Sequence, residues 1–187
     1  MDHVMRVVRA DEWERVKELR LAALRDPVAD IAFLETYEQS LACSDEFWQE
    51  RARNASEEGS GDVRQFVAVA PDGRWEGSVT VLIERPDAEA RFGEGAGVNQ
   101  AHVVGVFVRP EARGGGLAEE LFRAGMDWAW SLEEPRIERV RLYVHEDNLR
   151  AAAFYRRIGF VATGRSVPMP GDPSRRELEH AVDRAGR

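Results

Sequence analysis

The run Arg113-Gly114-Gly115-Gly116-Leu117-Ala118 has the residue types and spacing to hold a phosphate. An apolar stretch at 101–108 leads into it and an amphipathic stretch at 116–132 leaves it. At a helix start several backbone N–H groups lack helical partners and point toward one spot. The helix dipole adds partial positive charge there, and Arg113 adds a full charge on a rigid fork of donors. Glycines let a ligand approach the backbone with no Cβ in the way. The chemistry this implies is binding of a phosphate or pyrophosphate. A Walker loop would carry Lys and Ser or Thr where Leu117 and Ala118 stand. A dinucleotide fingerprint would carry glycine where Glu119 stands. Neither spacing fits.

Downstream, Asn148 and Tyr155 are seven residues apart, two helical turns, and share one face. Upstream, His102 lies on the strand that feeds the glycine turn. A histidine there can move protons near neutral pH, or it can simply be a hydrogen-bonded core residue. Tyr155 has a plain reading as well, since helix aromatics usually pack.

These residues need a scaffold. Residues 5–9 alternate as a short strand. Asp11 precedes Glu14 at capping-box spacing, and Trp13, Val16, Leu19, Leu21 and Leu24 follow at helical intervals. Ser44 caps a second helix over 45–54. The period then changes. Residues 65–70 and 75–84 are strands joined by the turn Pro71-Asp72-Gly73. The glycine-containing loop 86–100, with Glu89 and Glu94, is either a substrate lid or an ordinary hairpin loop. Residues 101–108 form a buried strand and 116–132 a helix. Residues 139–144 form a strand, with Val140, Leu142 and Val144 opposite Arg139, Arg141 and Tyr143. A helix over 148–158 stops at Gly159. Strands over 160–165 and 177–182 close the chain. Hairpin strands early and strand–helix–strand order late predict a mixed sheet with helices on both faces.

Composition bounds the function. The chain has 187 residues, 43% hydrophobic and 32% charged, values of a single globular domain. The apolar run at 101–108 is too short for a membrane span, and the N-terminal residues lack signal-peptide blocks. One cysteine, Cys43, allows no internal disulfide, so a reducing cytoplasm is expected. A net charge of −8 opposes nucleic-acid binding and is otherwise an ordinary solubility charge. No His/Cys/Asp cluster has metal-ligand spacing.

The turn at 113–118 resembles the Arg/Gln-x-x-Gly-x-Gly/Ala motif of the GNAT superfamily of N-acetyltransferases. The segment from Asn148 through Ala151 and Tyr155 to Gly159-Phe160 looks like that superfamily's second signature, Asn-x-x-Ala-x-x-x-Tyr-x-x-x-Gly-Phe. The two occur in the family's order, and the match covers roughly 101–165.

The resemblance implies an α/β (α+β) fold: a mixed, mostly antiparallel central sheet of about six to seven strands flanked by helices. It implies one domain over 1–187, with an acceptor-side part at 1–100, an acetyl-CoA-binding core at 101–165, and a C-terminal turn and strand at 166–187. Acetyl-CoA would be the donor substrate, without metal, and a primary amine of a small molecule or peptide the acceptor. Backbone groups of Val106, Phe107 and Val108 would bond the pantetheine arm. Arg113, Gly114, Gly115, Gly116, Leu117, Ala118 and Glu119 would hold the pyrophosphate, and Asn148 would touch the arm. Gly105 suits a bulge that splays this strand from the next, or simple close packing. Tyr155 would protonate or hydrogen-bond the leaving thiolate, provided the site narrows the gap between their pKa values. His102 would take the amine's proton, at a place where many relatives carry an acid. Tyr143 stands where some relatives carry a glutamate. His145, Glu146 or a water chain are the rivals for the base. Many relatives are homodimers. Two other readings share the cofactor motifs: a non-catalytic acyl-CoA sensor, and a transferase using another acyl-CoA or an alcohol acceptor.

Overall fold

The computed structural model describes residues 3–185. Seven strands form one sheet: β1 (Val4–Val7), β2 (Val63–Val69), β3 (Trp75–Glu84), β4 (Gln100–Val108), β5 (Arg139–His145), β6 (Val161–Met169) and β7 (Asp172–Asp183), in the order β1-β2-β3-β4-β5-β7-β6. Every neighbouring pair is antiparallel except β4–β5, which is parallel. The parallel pair needs a crossover, and α5 (Leu117–Ser131) supplies it.

Side chains alternate across the strands, so the sheet has two apolar faces. Phe66, Val79 and Val81 face α5 and α6 (Leu149–Arg157), where Leu121, Phe122, Tyr155 and Phe160 meet them. The approach is close enough that a Cβ on Gly125 would stand 2.9 Å from Val81, so glycine at that helix position is a packing requirement. Val67 and Leu82 face the other way. They pack against α1 (Trp13–Leu24) and α4 (Asp45–Ala55), with Trp48 fully buried between them. Truncating Trp48 to alanine would cost about 3–5 kcal/mol.

Several local expectations are met with physical reasons. Ser44 Oγ accepts from Phe47 N at 3.3 Å and starts α4. Gly159, at φ +102°, ends α6 in the left-handed region that favours glycine. Other details differ. The acid that reaches back at the start of α1 is Glu12, which accepts from Arg9 N at 2.9 Å, not Glu14. Two short helices, α2 (Ala29–Ala32) and α3 (Tyr37–Leu41), stand where no periodicity was visible, because each is about one turn long. β6 and β7 run further than expected, into a hairpin turn at 169–172.

The face of β5 carrying Arg139, Arg141 and Tyr143 is held by charged partners. Arg141 is 1% exposed and pairs with Glu84 at 2.7 Å and Glu179 at 3.2 Å. Tyr143 Oη donates to Glu179 at 3.3 Å and accepts from Glu94 N at 3.2 Å. Phe92 packs edge-on against its ring. The loop 86–100 is thereby pinned over the sheet rather than hanging free.

Candidate active site

β4 and β5 pair only from Gln100↔Arg139 to His102↔Arg141. Beyond His102 the two strands separate. The cause lies in β4. Between Ser78↔Phe107 and Thr80↔Val104 it carries one residue more than β3, with Gly105 at φ +62°. A bulge of this kind bends the strand and raises its twist, and the left-handed conformation calls for glycine.

The separation opens a groove of about 520 Å³. Val106, Phe107 and Val108 line one wall, Val144 and His145 the other. Gly114, Gly116, Leu117, Ala118 and Glu119 close one end, while Asn148 and Tyr155 lie along its length. Gly115 is outside the lining. Gly114 (φ +88°) and Gly116 (φ +87°) both sit in the left-handed region, and Gly116 is the residue at which α5 starts. A Cβ on any of the three glycines would meet nothing within 4 Å, so the space above the turn is open. Helix N–H groups and open space at one end, with strand backbone unpaired toward β5 along one side, fit a long ligand with a phosphate at one end.

Arg113 is at this turn but does not aim freely into it. Its Nε donates to Val108 O at 2.9 Å and its Nη2 pairs with the buried carboxylate of Asp26. The charge expected of it is therefore largely balanced by Asp26. Asn148 caps α6, accepting from Ala151 N at 3.2 Å, and its amide nitrogen faces Ile31 O at 3.5 Å.

A second cavity, of about 460 Å³, lies beyond the bulge. Arg20, Glu35, Arg51 and Arg91 bring charge to it, and Phe33 and Phe92 bring apolar surface. The two cavities meet at Val103, Val104, Gly105, Tyr143 and Glu177, with Phe33 of the segment after α2 above them.

The family model described as "Acetyltransferase (GNAT) family" matches residues 14–160. The chain belongs to that acetyltransferase family. Mycothiol acetyltransferase of Salinispora tropica is 38% identical over 95 residues, which are 51% of this chain and 28% of that protein. The match thus spans well under half the length of that curated relative. Among solved structures, Arabidopsis thaliana NAA60 in complex with acetyl-CoA superposes with a TM-score of 0.69 at 20% identity, covering 99% of this chain and 100% of that one. The ribosomal-protein-S5-alanine acetyltransferase of Vibrio fischeri gives 0.73 at 15% identity, covering 99% and 94%. At such identities these likenesses establish the fold.

The residues expected to handle protons differ in their surroundings. His102 is 1% exposed, its Nδ1 is 2.9 Å from Glu84 Oε1, and its ring borders the second cavity. Burial alone would raise the Glu84 carboxyl. The hydrogen bond and charge of His102, with hydrogen bonds from Arg141 and Gln100, overrule it and hold Glu84 at about 2. Tyr155 is buried beside the groove, and burial, then the charge of Glu177, pushes its hydroxyl up. The gap to a thiolate is therefore widened, not narrowed. The tyrosine stays neutral at any physiological pH, which suits it to donating a hydrogen bond rather than giving its proton away.

Sequence reading missed Glu177. It is 7% exposed on β7, opposite His145, and lines both cavities where they meet. Burial pushes its carboxyl up to about 7. The signal was present as two glutamates, Glu177 and Glu179, alternating with Leu178 in a strand expected to be buried. Acids at both positions on one strand face need partners or a task. Glu179 has partners in Arg139, Arg141 and Thr163.

Among the described residues no group of His, Cys, Asp and Glu could hold a metal, and no helix is long and apolar enough to cross a membrane.

Proposed function

We propose that this chain transfers the acetyl group of acetyl-CoA directly to a primary amine. The observation that carries it is the meeting of two cavities at the β4 bulge: one shaped for a phosphate-bearing arm, the other lined by charged side chains, with Glu177 shared between them. The thioester is supplied by acetyl-CoA. The chain's own groups do the rest.

N–H groups at the start of α5 bind the pyrophosphate end, with Glu119 on the same first turn. Backbone of Val106, Phe107 and Val108 holds the arm as a strand would. Tyr155 Oη donates a hydrogen bond where the sulfur leaves. An amine near pKa ~10 is mostly charged at neutral pH and must lose a proton before it attacks. Glu177 is the base in this reading. A carboxyl titrating near 7 is ionised often enough to accept the proton and basic enough to keep it. His102 is the alternative base. Its Nδ1 is committed to Glu84, which leaves Nε2 for the amine's proton.

The reading treats 1–187 as one catalytic domain, supported by a single continuous sheet. It includes a cytoplasmic location, supported by the lone free Cys43, and the homodimer that the family resemblance implies. It includes no nucleic-acid partner, given the −8 charge.

The test is calorimetric titration with acetyl-CoA, followed by thiol release with a panel of primary amines. Micromolar binding and amine-dependent CoA release are expected, with Tyr155→Phe lowering kcat about 10-fold or more while binding stays intact. Binding without turnover on any amine would make the protein a sensor. No binding at millimolar acetyl-CoA would overturn the reading.

A further inference from the structure

The second cavity holds one charged group whose arrangement says something about the acceptor. Arg20 projects from α1, and its side chain is only 13% exposed. Its Nε donates to Glu35 Oε1 at 2.6 Å, and the guanidinium carbon stacks 4.4 Å from the centroid of the Phe33 ring. Those two contacts fix the plane of the fork. Its Nη1 lies 4.0 Å from where a Cβ on Gly105 would stand, which is the point where the two cavities meet. Among the described residues only its Nε has a hydrogen-bond partner, and the side chain lines the cavity. Glu35 is shared, since Arg51 also approaches it at 3.7 Å. Glu35 thus divides its charge between two guanidinium groups, with Glu50 and Glu177 also on the cavity lining. Burial, partly offset by the attraction of Glu35 and reinforced by repulsion from Arg51, leaves Arg20 less basic than usual. Arg91 adds a third guanidinium to the same lining.

We infer that the acceptor is an amine carrying a carboxylate close by, a free amino acid or an analogue of one, and that Arg20 binds this carboxylate while the amine turns toward Glu177. A planar, immobilised fork with free terminal N–H groups matches a carboxylate with two parallel hydrogen bonds. A simple di- or polyamine has no carboxylate to offer this fork. This inference rests on the acetyltransferase reading above and narrows its substrate class.

The test uses matched acceptor pairs that differ only by the carboxylate: lysine against cadaverine, ornithine against putrescine, phenylalanine against phenethylamine. The wild type is expected to prefer the carboxylated member by about 10-fold or more in kcat/KM. Arg20→Met is expected to remove that preference through the acceptor KM, with acetyl-CoA binding and melting temperature close to wild type. Arg20→Lys, which keeps the charge but loses the fork, should restore only part of it. Equal or better turnover of the decarboxylated amines by the wild type overturns the carboxylate anchor and leaves acetyl transfer standing. An unchanged preference in folded Arg20→Met overturns it as well. No turnover of any amine overturns both readings together.

Discussion

The groove between β4 and β5 is bounded by β4 backbone that has left its pairing with β5 and by the glycine turn; the cavity beyond the bulge is lined by charged and aromatic side chains from α1, the segment after α2, α4, the loop before β4, and strands β4, β5 and β7. The first region needs particular backbone shapes, and those shapes need glycine at particular places. The second needs particular side chains, and these come from segments more than a hundred residues apart. A site made of main chain is demanding at few positions, whereas a site made of side chains can be rebuilt one residue at a time. The difference locates common chemistry in the groove and individual chemistry in the cavity.

The sharpest way to break this comparison is at Gly116. Gly116→Glu forces a side chain into φ +87° and sets an acid at the start of α5. Acetyl-CoA affinity should fall by about 100-fold or more by calorimetry, with the acceptor cavity untouched. Equal affinity in the mutant would mean the turn does not hold the phosphates.

Glu177→Gln is next and acts on the other side. It should lower kcat/KM by about 100-fold at pH 8, leave acetyl-CoA affinity within a factor of about two, and remove an acidic limb near pH 7 from the rate profile. If the limb persists in the mutant and disappears instead in His102→Gln, the base is His102. The stability effect has the opposite sign. The folded-state pKa is raised from 4.5 to about 7, so the ionised carboxyl costs stability that accumulates as pH rises through that window. Glu177→Gln should therefore melt higher than wild type at pH 8, by up to about 3 kcal/mol of stability, and lose that advantage by pH 4.

The smallest effect sharpens the structural reading of Glu84. Its folded-state pKa is lowered from 4.5 to about 2, so its contribution is complete above 4.5 and is lost as pH falls toward 2. The full difference amounts to about 3 kcal/mol. Acid melts of wild type and Glu84→Gln should converge as pH falls to about 2 and stay apart by the full difference above about pH 5. Parallel curves would mean that the network with His102 and Arg141 adds nothing.

The donor side was legible because its requirements are local. The Arg113–Ala118 run and the Asn148–Phe160 segment each carry their spacing within a few residues, and the strands around them alternate clearly. The acceptor side was not. Arg20 reads as one more charged residue on an amphipathic helix, and Glu177 as one more acid in a C-terminal strand. Only the sheet order, which puts β7 beside β5, brings Glu177 to the groove. The short helix α2, just before the Phe33 that lines both cavities, is too brief to leave a period. Arg113 carries a partner that its sequence neighbourhood does not reveal. Its type and place suggested a free charge, but Asp26, 87 residues earlier, already pairs with it.

The parting of β4 from β5 after His102 has a consequence for the whole sheet. Most sheets hide their unpaired backbone at the two outer margins. Here a margin lies in the interior, and backbone groups of Val106 to Val108 reach across it toward no strand. A bound pantetheine arm, with its own amides, would serve there as a missing rung. The substrate is then also a structural part. Melting temperature should climb with acetyl-CoA concentration as mass action requires, and amide exchange should slow along β4 before it slows anywhere else.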